Sequence, residues 1–367
     1  MKSPRVLLTG GGTGGHVYPA VAIADALRQL CPQVELAFAG TAERLEAKVV
    51  PRAGYPFYPI PTRGLDRRRW WRNAALPFVL SRALRGALRL VRRFRPCVVV
   101  ATGGYVAVPV LTAAVLCRIP YILQEQNSYP GLANRYFARW ARWVCVGFEA
   151  AAPFFPRDRV RVTGNPVRAD IGTIPRTQAA GRWGFDPDRF TVLAMGGSLG
   201  AETINRAMQR WVYAYLEAGW QVLWQTGPAA YGQLQGQIGP HARLYMSPFL
   251  EAMAEAYGAA DVVVCRAGAL TLSELACAGL PAVLVPSPHV VADHQRRNAE
   301  VFLRAGAAVV LEDAKAEAGL GPVLRALAED TDTRQRMATR ALELARPRAA
   351  EQIAELVREL LEERNGV

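Results

Sequence analysis

The chain has 367 residues, 51% hydrophobic and 20% charged, which supplies apolar side chain for large cores and excludes both a single small module and a disordered polymer. Its net charge of +13 is almost wholly arginine, because Lys2, Lys48 and Lys315 are the only lysines. The charge is also concentrated: from Arg63 to Arg95 eleven arginines meet one acid, Asp66, so 33 residues hold +10 of the +13. That concentration excludes a nucleic-acid coat spread over the molecule and calls for a local anionic partner.

Met1 to Arg5 leads straight into Val6 to Thr9, which reads as a buried strand; with no long apolar core and no cleavage site, a secretory leader is not expected and the protein is expected to stay in the cytoplasm. Gly10-Gly11-Gly12-Thr13-Gly14-Gly15-His16 follows, opening a predicted helix to Leu30. A second strand is predicted over Glu35 to Ala39. From Phe78 onward Leu80, Leu84, Leu88 and Val91 share one helical stripe and Arg82, Arg85, Arg89, Arg92 and Arg93 another, with Trp70 and Trp71 beside Arg67 to Arg69. A basic amphipathic helix with interfacial aromatics suits an anionic bilayer surface. The plainer alternative keeps the leucines in the core and the arginines in water.

Pro96 to Cys117 is 22 residues without a charge, long enough to cross a bilayer. Gly103-Gly104 and Pro109 divide it instead into a strand over Val98 to Thr102, a glycine turn and a helix over Tyr105 to Arg118. Strands at Tyr121 to Gln124 and Trp143 to Val146 continue the series, and a hinge is predicted near Gly164-Asn165-Pro166. A second series starts at Thr191 to Met195 and runs through Gln221 to Gln225, Arg243 to Met246, Asp261 to Cys265 and Ala282 to Val285 to Ala307 to Leu311. Strands alternating with helices in this way predict two Rossmann-like, doubly wound α/β domains facing a cleft, 1–165 and 166–347. The tail helix over 348–364, with Ile353, Leu356, Val357 and Leu360 on one side, is expected to pack back on the first domain. The six cysteines (31, 97, 117, 145, 265 and 277) lie in apolar runs without a CxxC pair and read as buried thiols of a reducing compartment.

Small residues between a strand and a helix let the backbone approach an anion at the helix N-terminus. Gly10, Gly12 and Gly15 satisfy the dinucleotide spacing, yet the acid expected at the end of the second strand is absent: Glu35 opens that strand and Ala39-Gly40-Thr41 ends it. Gly196-Gly197-Ser198-Leu199-Gly200 repeats the arrangement, and Gly103-Gly104-Tyr105 adds a third glycine turn. The alternative is that each is only a tight turn. In the segment Cys265 to Glu274, amides at Ala269 and Leu270 suit a phosphate and Glu274 a ribose diol; a capping box between Thr271 and Glu274 fits the spacing equally well. His289, Asp293, His294, Gln295 and Asn298 form a polar cluster better matched to a polyhydroxylated ligand than to a metal ion.

Gly11 to His16 with Pro19, Gly103-Gly104-Tyr105, Glu125-Gln126-Asn127, Gly164 to Arg168, Gly196-Gly197-Ser198, and Gly268 to Glu274 with Gln295 occur in the order seen in the MurG family of peptidoglycan transferases, which the chain resembles over nearly its whole length. The resemblance implies a GT-B fold and inverting transfer of N-acetylglucosamine from UDP-GlcNAc to the C4 hydroxyl of undecaprenyl-pyrophosphoryl-MurNAc-pentapeptide, converting lipid I to lipid II. Carried over, the donor contacts fall on Thr13, Gly14, Gly15, Asn127, Arg168, Ser198, Leu250, Ala269, Leu270, Thr271, Leu272, Ser273, Glu274 and Gln295, with the Leu250 backbone on uracil, Glu274 on ribose and Gln295 on the sugar. His16 is the candidate base, Glu125 its substitute should His16 only bind phosphate or cap the helix, and Tyr105 counts with the catalytic group. The helix near Ala269, Ser198 and Arg168 would meet the leaving diphosphate. Without a DxD motif no metal or cofactor is expected to be required, and a stimulatory divalent ion stays open. Further implied are peripheral attachment to the cytoplasmic face of the inner membrane, other cell-wall enzymes as partners, and no nucleic acid. A UDP-GlcNAc 2-epimerase-like enzyme is the rival reading among enzymes, and a nucleic-acid-binding protein using the arginines of 63–95 on phosphates is the rival from another class.

Overall fold

The computed structural model describes residues 3–64, 76–290 and 293–365. Trp70, Trp71 and Arg67 to Arg69 lie outside the described residues. The chain divides into two units, Met1–Val167 with Pro347–Val367, and Arg168–Arg346.

In the first unit the elements run β1 (Arg5–Gly10), α1 (Gly14–Leu30), β2 (Glu35–Gly40), α2 (Glu46–Arg52), β3 (Phe57–Pro59), α3 (Leu76–Phe94), β4 (Val98–Gly103), α4 (Ala107–Leu116), β5 (Tyr121–Glu125), α5 (Leu132–Phe137), β6 (Trp143–Val146) and β7 (Val160–Val162). Among the described residues the strands form one parallel sheet in the order β3-β2-β1-β4-β5-β6-β7. Val6 and Leu8 point to one face and Leu7 to the other, and each side carries its own core. That is why the strand reads as a continuous apolar run and not as an alternation.

The second unit holds α6 (Arg176–Arg182), β8 (Thr191–Met195), α7 (Glu202–Glu217), β9 (Gln221–Gln225), α8 (Pro228–Ile238), β10 (Leu244–Ser247), α9 (Met253–Ala259), β11 (Val262–Cys265), α10 (Ala269–Ala278), β12 (Ala282–Leu284), α11 (His294–Ala305), β13 (Ala308–Val310), α12 (Ala316–Glu329) and α13 (Thr331–Glu343). Its parallel sheet has the order β10-β9-β8-β11-β12-β13. Both sheets therefore follow the doubly wound order, and each reverses direction at one place: between β1 and β4 in the first unit, and between β8 and β11 in the second. Ligands of open α/β sheets bind outside the strand C-termini at that reversal.

The final helix, α14 (Ala349–Asn365), returns to the first unit and packs on α1, burying Ile353, Ala354, Val357, Leu360 and Leu361 in the α1 face of the core.

Two expectations change in detail, and two edge strands are added. Helix α3 buries Ala83, Ala87, Leu90 and Val91, while Leu84 and Leu88 are half-buried and Leu80 is 37% exposed; the alanines with Leu90 and Val91, and not Leu80, Leu84 and Leu88, form the buried seam on the side of α4. Cys97, Cys117 and Cys277 are half-buried, and only Cys31, Cys145 and Cys265 are buried. The short strands β3 and β7 lie at the sheet edges, where partly exposed residues leave no buried run to detect. The uncharged stretch 96–117 forms β4, a turn and α4, and no helix among the described residues is long and apolar enough to cross a membrane.

Candidate active site

Each sheet reversal is flanked by the turns that the sequence marks with glycine. In the first unit β1 ends in the Gly10 to Gly12 turn, with Thr13 extended (φ −143°, ψ 160°) before α1, while β4 ends at Gly103. Thr13 is exposed, and Gly14 and Gly15 form the first turn of α1, whose opening amides and positive dipole end face the rim.

His16, half-buried in that first turn, has Nδ1 2.9 Å from the Thr102 carbonyl and 2.9 Å from Gln126 Oε1. Gln126 cannot be turned round, because its Nε2 donates to the Thr102 carbonyl at 2.5 Å, and to the backbone carbonyl and side-chain oxygen of Gln124. Gln124 Nε2 in turn donates to Asn165 Oδ1, and Asn165 Nδ2 to the Gln126 carbonyl. Both groups facing Nδ1 are thus acceptors. The hydrogen of the neutral ring sits on Nδ1 and the lone pair on Nε2, the arrangement of a general base. Gly103 (φ +105°) makes room for the ring: a Cβ there would stand 3.0 Å from both Cε1 and Nδ1.

Glu125, 2% exposed at the end of β5, accepts from the Asn127 amide (3.0 Å), Asn127 Nδ2 (3.2 Å), the Gly131 amide (3.1 Å) and Asn134 Nδ2 (2.8 Å). Four donors occupy a carboxylate with about four acceptor sites, so its work is to fold the loop 126–131. The half-buried Tyr105 ring lies over Gly12, 3.4 Å from where a Cβ would project.

In the second unit the exposed Ser198 sits in a turn closed by the Gly200 amide on the Gly197 carbonyl (2.9 Å). Gln225 ties this turn to the next strand end: its Nε2 donates to the Gly197 carbonyl (2.9 Å) and its Oε1 accepts the Leu250 amide (2.9 Å). Leu250 therefore keeps only its carbonyl for a ligand, its amide being engaged and its side chain 2% exposed. Helix α10 begins after Gly268, and the Leu272 amide makes its first helical bond, to the Gly268 carbonyl (2.9 Å). Amides ahead of it, at Ala269 to Thr271, present the positive end of the helix to the rim. Leu272 is fully buried and Ser273 Oγ donates back to the Ala269 carbonyl, so any ligand contact of these two runs through backbone or a rotated hydroxyl.

Glu274 does not form a capping box. Helix α10 starts before Thr271, which lies inside the first turn, and the Glu274 carboxylate accepts from the Tyr257 hydroxyl (2.9 Å) and faces Arg168 Nη2 at 3.5 Å. Burial raises the Glu274 carboxyl above its usual range, with Arg168 the largest opposing influence, and burial likewise holds the Tyr257 hydroxyl protonated. Gln295, in the first turn of α11, accepts the Ser287 amide at 2.8 Å. Arg266 joins the β11 and β12 ends through the Val285 carbonyl (2.9 Å) and pairs with Asp313, which also accepts from Thr203 at 3.0 Å. The structure thus gathers His16, Tyr105, Glu125 and Asn127 on the first rim, and Ser198, Leu250, 269–274 and Gln295 on the second. Gln126, Gln225, Tyr257, Asp313 and the buried Glu46 take no role from sequence, because the contacts that place them at the rims, such as Gln126 with His16 and Glu46 with Gly12, span 17 or more residues.

Two doubly wound parallel sheets with glycine turns and helix N-termini at both reversals are the GT-B architecture, and the family matches make it that of a glycosyltransferase. Residues 6–146 match the glycosyltransferase family 28 N-terminal domain and residues 191–353 its C-terminal domain. A protein of Salinibacter ruber named UDP-N-acetylglucosamine–N-acetylmuramyl-(pentapeptide) pyrophosphoryl-undecaprenol N-acetylglucosamine transferase is 48% identical over 354 residues, 96% of each chain. The crystal structure of Acinetobacter baumannii MurG matches with a TM-score of 0.77 and 30% identity, covering 97% of this chain and 99% of that one. The UDP-GlcNAc 2-epimerase from Neisseria meningitidis, solved with UDP-GlcNAc, shares the fold (TM-score 0.67, covering 97% and 100%) at 13% identity. The chain belongs to glycosyltransferase family 28 and, within it, to the MurG family.

Proposed function

We propose that this chain transfers N-acetylglucosamine from UDP-GlcNAc to the C4 hydroxyl of MurNAc in undecaprenyl-pyrophosphoryl-MurNAc-pentapeptide, the lipid I to lipid II step of peptidoglycan synthesis. The observation that carries the reading is 48% identity across 96% of a relative named for that activity. The likeness to an epimerase extends to the fold alone.

The chemistry is a single displacement. The acceptor oxygen forms a bond to the anomeric carbon as the bond to the UDP phosphate breaks, with inversion; the hydroxyl proton goes to His16 Nε2 and the electron pair to the diphosphate. Nδ1 held by two acceptors supports this role, since the base lone pair is then on Nε2 and the imidazolium that forms is stabilised by both. A positioned base contributes about 10²- to 10⁴-fold. Glu125, already holding four donors, serves the loop that carries Asn127. The α10 N-terminus, Ser198 and Arg168 would receive the diphosphate charge, and Glu274 the ribose diol. These groups can neutralise the leaving group without a required metal ion. Peripheral docking to an anionic membrane on the cytoplasmic side, through the exposed arginine face of α3 with Trp70 and Trp71, would bring the enzyme to a lipid-linked acceptor.

The experiment is transfer of radiolabelled GlcNAc from UDP-GlcNAc to a lipid I analogue by the wild type, His16→Ala and Glu274→Ala. Wild-type transfer is expected, with kcat lost in His16→Ala and UDP affinity lost in Glu274→Ala. A wild type that does not glycosylate the analogue refutes the assignment.

A further inference from the structure

The Glu274 carboxylate has few ways of being held. It lies at the level of the second turn of α10, 9% exposed, and its two oxygens face different neighbours. Oε1 faces Arg168 Nη2 at 3.5 Å, the outer limit of a hydrogen bond, from a side chain that is 38% exposed. Oε2 accepts from the Tyr257 hydroxyl at 2.9 Å, inside the protein. The firm contact is the tyrosine, and the arginine is a loose and movable one.

Tyr257 is placed for that contact by the fold. It sits on α9, 2% exposed, among the largest fully enclosed side chains of the molecule, and α9 packs on α6 and α10. The neighbouring Gly258 lets α9 lie close against α6 and the residues before it: a Cβ there would be 2.9 Å from the Ala179 Cβ and 3.1 Å from the Ile174 carbonyl. The ring is enclosed by the protein, and the hydroxyl reaches across to α10 with the Glu274 carboxylate as its acceptor.

We propose that Tyr257 is a positioning residue for nucleotide ribose recognition: by holding Oε2 of Glu274 it fixes the carboxylate plane so that the remaining acceptor positions face a ribose diol. The inference rests on the ribose reading of Glu274. Without the hydroxyl, the carboxylate turns toward Arg168, and the pair of hydrogen bonds to a 2′,3′-diol loses its geometry while the diphosphate contacts at the α10 N-terminus persist. Tyr257 touches no ligand, so its effect is on discrimination and not on the chemical step.

The test is calorimetric binding of UDP and of 2′-deoxy-UDP to the full chain, as wild type, Tyr257→Phe and Glu274→Gln, with thermal unfolding recorded for each. The wild type is expected to prefer UDP by about tenfold or more, the scale of a hydrogen bond to a charged acceptor. Glu274→Gln loses most of that preference. Tyr257→Phe is expected to lose most of it too, with 2′-deoxy-UDP bound as by the wild type and kcat within about threefold. A merely structural role would weaken both nucleotides together and leave their ratio unchanged. If Glu274→Gln loses the preference and Tyr257→Phe keeps it, the positioning inference is wrong and the ribose reading stands. If the wild type or Glu274→Gln fails to behave as stated, the ribose reading falls and takes this inference with it. Should the phenylalanine variant not fold, Tyr257→Met, a second hydroxyl-free side chain of adaptable shape, repeats the comparison.

Discussion

The Glu46 carboxylate, 1% exposed, accepts the Gly12 amide at 3.0 Å, and with its other oxygen the amide and hydroxyl of Thr41 at 3.0 and 2.5 Å. A buried charge here bolts the glycine turn after β1 to the end of β2. It also explains Gly11, where a Cβ would stand 2.3 Å from Oε1. Glu46→Gln keeps the shape but sets an NH₂ against one of the three donors. The expected cost is about 1–3 kcal/mol of stability, read by urea denaturation. Transfer activity should fall as well, since His16 follows directly on this turn. A variant with wild-type stability and rate removes the turn-holding role.

His16 offers a test that needs no substrate. With Nδ1 facing the Thr102 carbonyl and Gln126 Oε1, its neutral ring is expected to be the Nδ1–H tautomer. Two-bond ¹⁵N–¹H couplings report this in protein labelled at its four histidines, with His16 assigned by its disappearance in His16→Ala. An Nε2–H ring would leave no lone pair on Nε2, and the base would have to be sought elsewhere.

Acid and base affect Glu274 in opposite senses for stability and for binding. Its carboxyl is raised by burial, so between the ordinary carboxylate pKa and the raised native one the folded chain binds more protons than the unfolded chain. The contribution of this group to stability therefore falls as pH rises through that window. Ribose hydroxyls donate, and so they need the charged form; UDP binding should strengthen as pH rises through the same window. Titrating UDP affinity upward from the ordinary carboxylate range in wild type and Glu274→Gln separates this from phosphate ionisation, which both share. Parallel curves would exclude Glu274 as the acceptor.

What sequence makes legible here is whatever sets a local pattern. Val6-Leu7-Leu8 and Thr191 to Met195 are strands buried on both faces, and glycine must stand where Gly103 adopts φ +105° beside an imidazole. Partners across the fold are not legible. Glu46 and Gly12 are 34 residues apart, and Tyr257 and Glu274 are 17 apart on different helices. Thr271 and Glu274 show the limit most clearly: their spacing suits a capping box, and only the extended Gly268 (φ −69°, ψ 135°) fixes the start of the helix and excludes it.

The tail belongs energetically to the unit it left 180 residues earlier in the chain. Ile353 is fully buried in the α1 face of that core, and Ile353→Ala should cost about 2–5 kcal/mol. Arg358 and Glu362 form an exposed pair on the same helix at 3.6 Å, and Arg358→Ala should stay within about 0.5 kcal/mol. Denaturation of the two variants side by side checks the contrast. Equal, small effects would mean that α14 is dispensable to the first unit.

The proposed membrane docking would use the outer face of α3. Arg82, Arg85 and Arg89 are exposed there with no acid between residues 67 and 95, and Phe78, on the same side of the helix, is 80% exposed. The opposite side is spoken for by Ala83, Ala87 and Leu90 in the core, so charge reversal of the three arginines leaves the packing intact. Each arginine near an anionic surface contributes about 1 kcal/mol. Replacing all three with glutamate should therefore lower partition onto anionic vesicles by at least about 3 kcal/mol, roughly a hundredfold, and added salt should weaken wild-type binding in the same direction. UDP affinity, for which none of the proposed contacts lies on α3, should not move. Flotation that is unchanged by the reversal, and by salt, would assign the arginine face to solvent and leave the lipid-linked acceptor to be met by another surface.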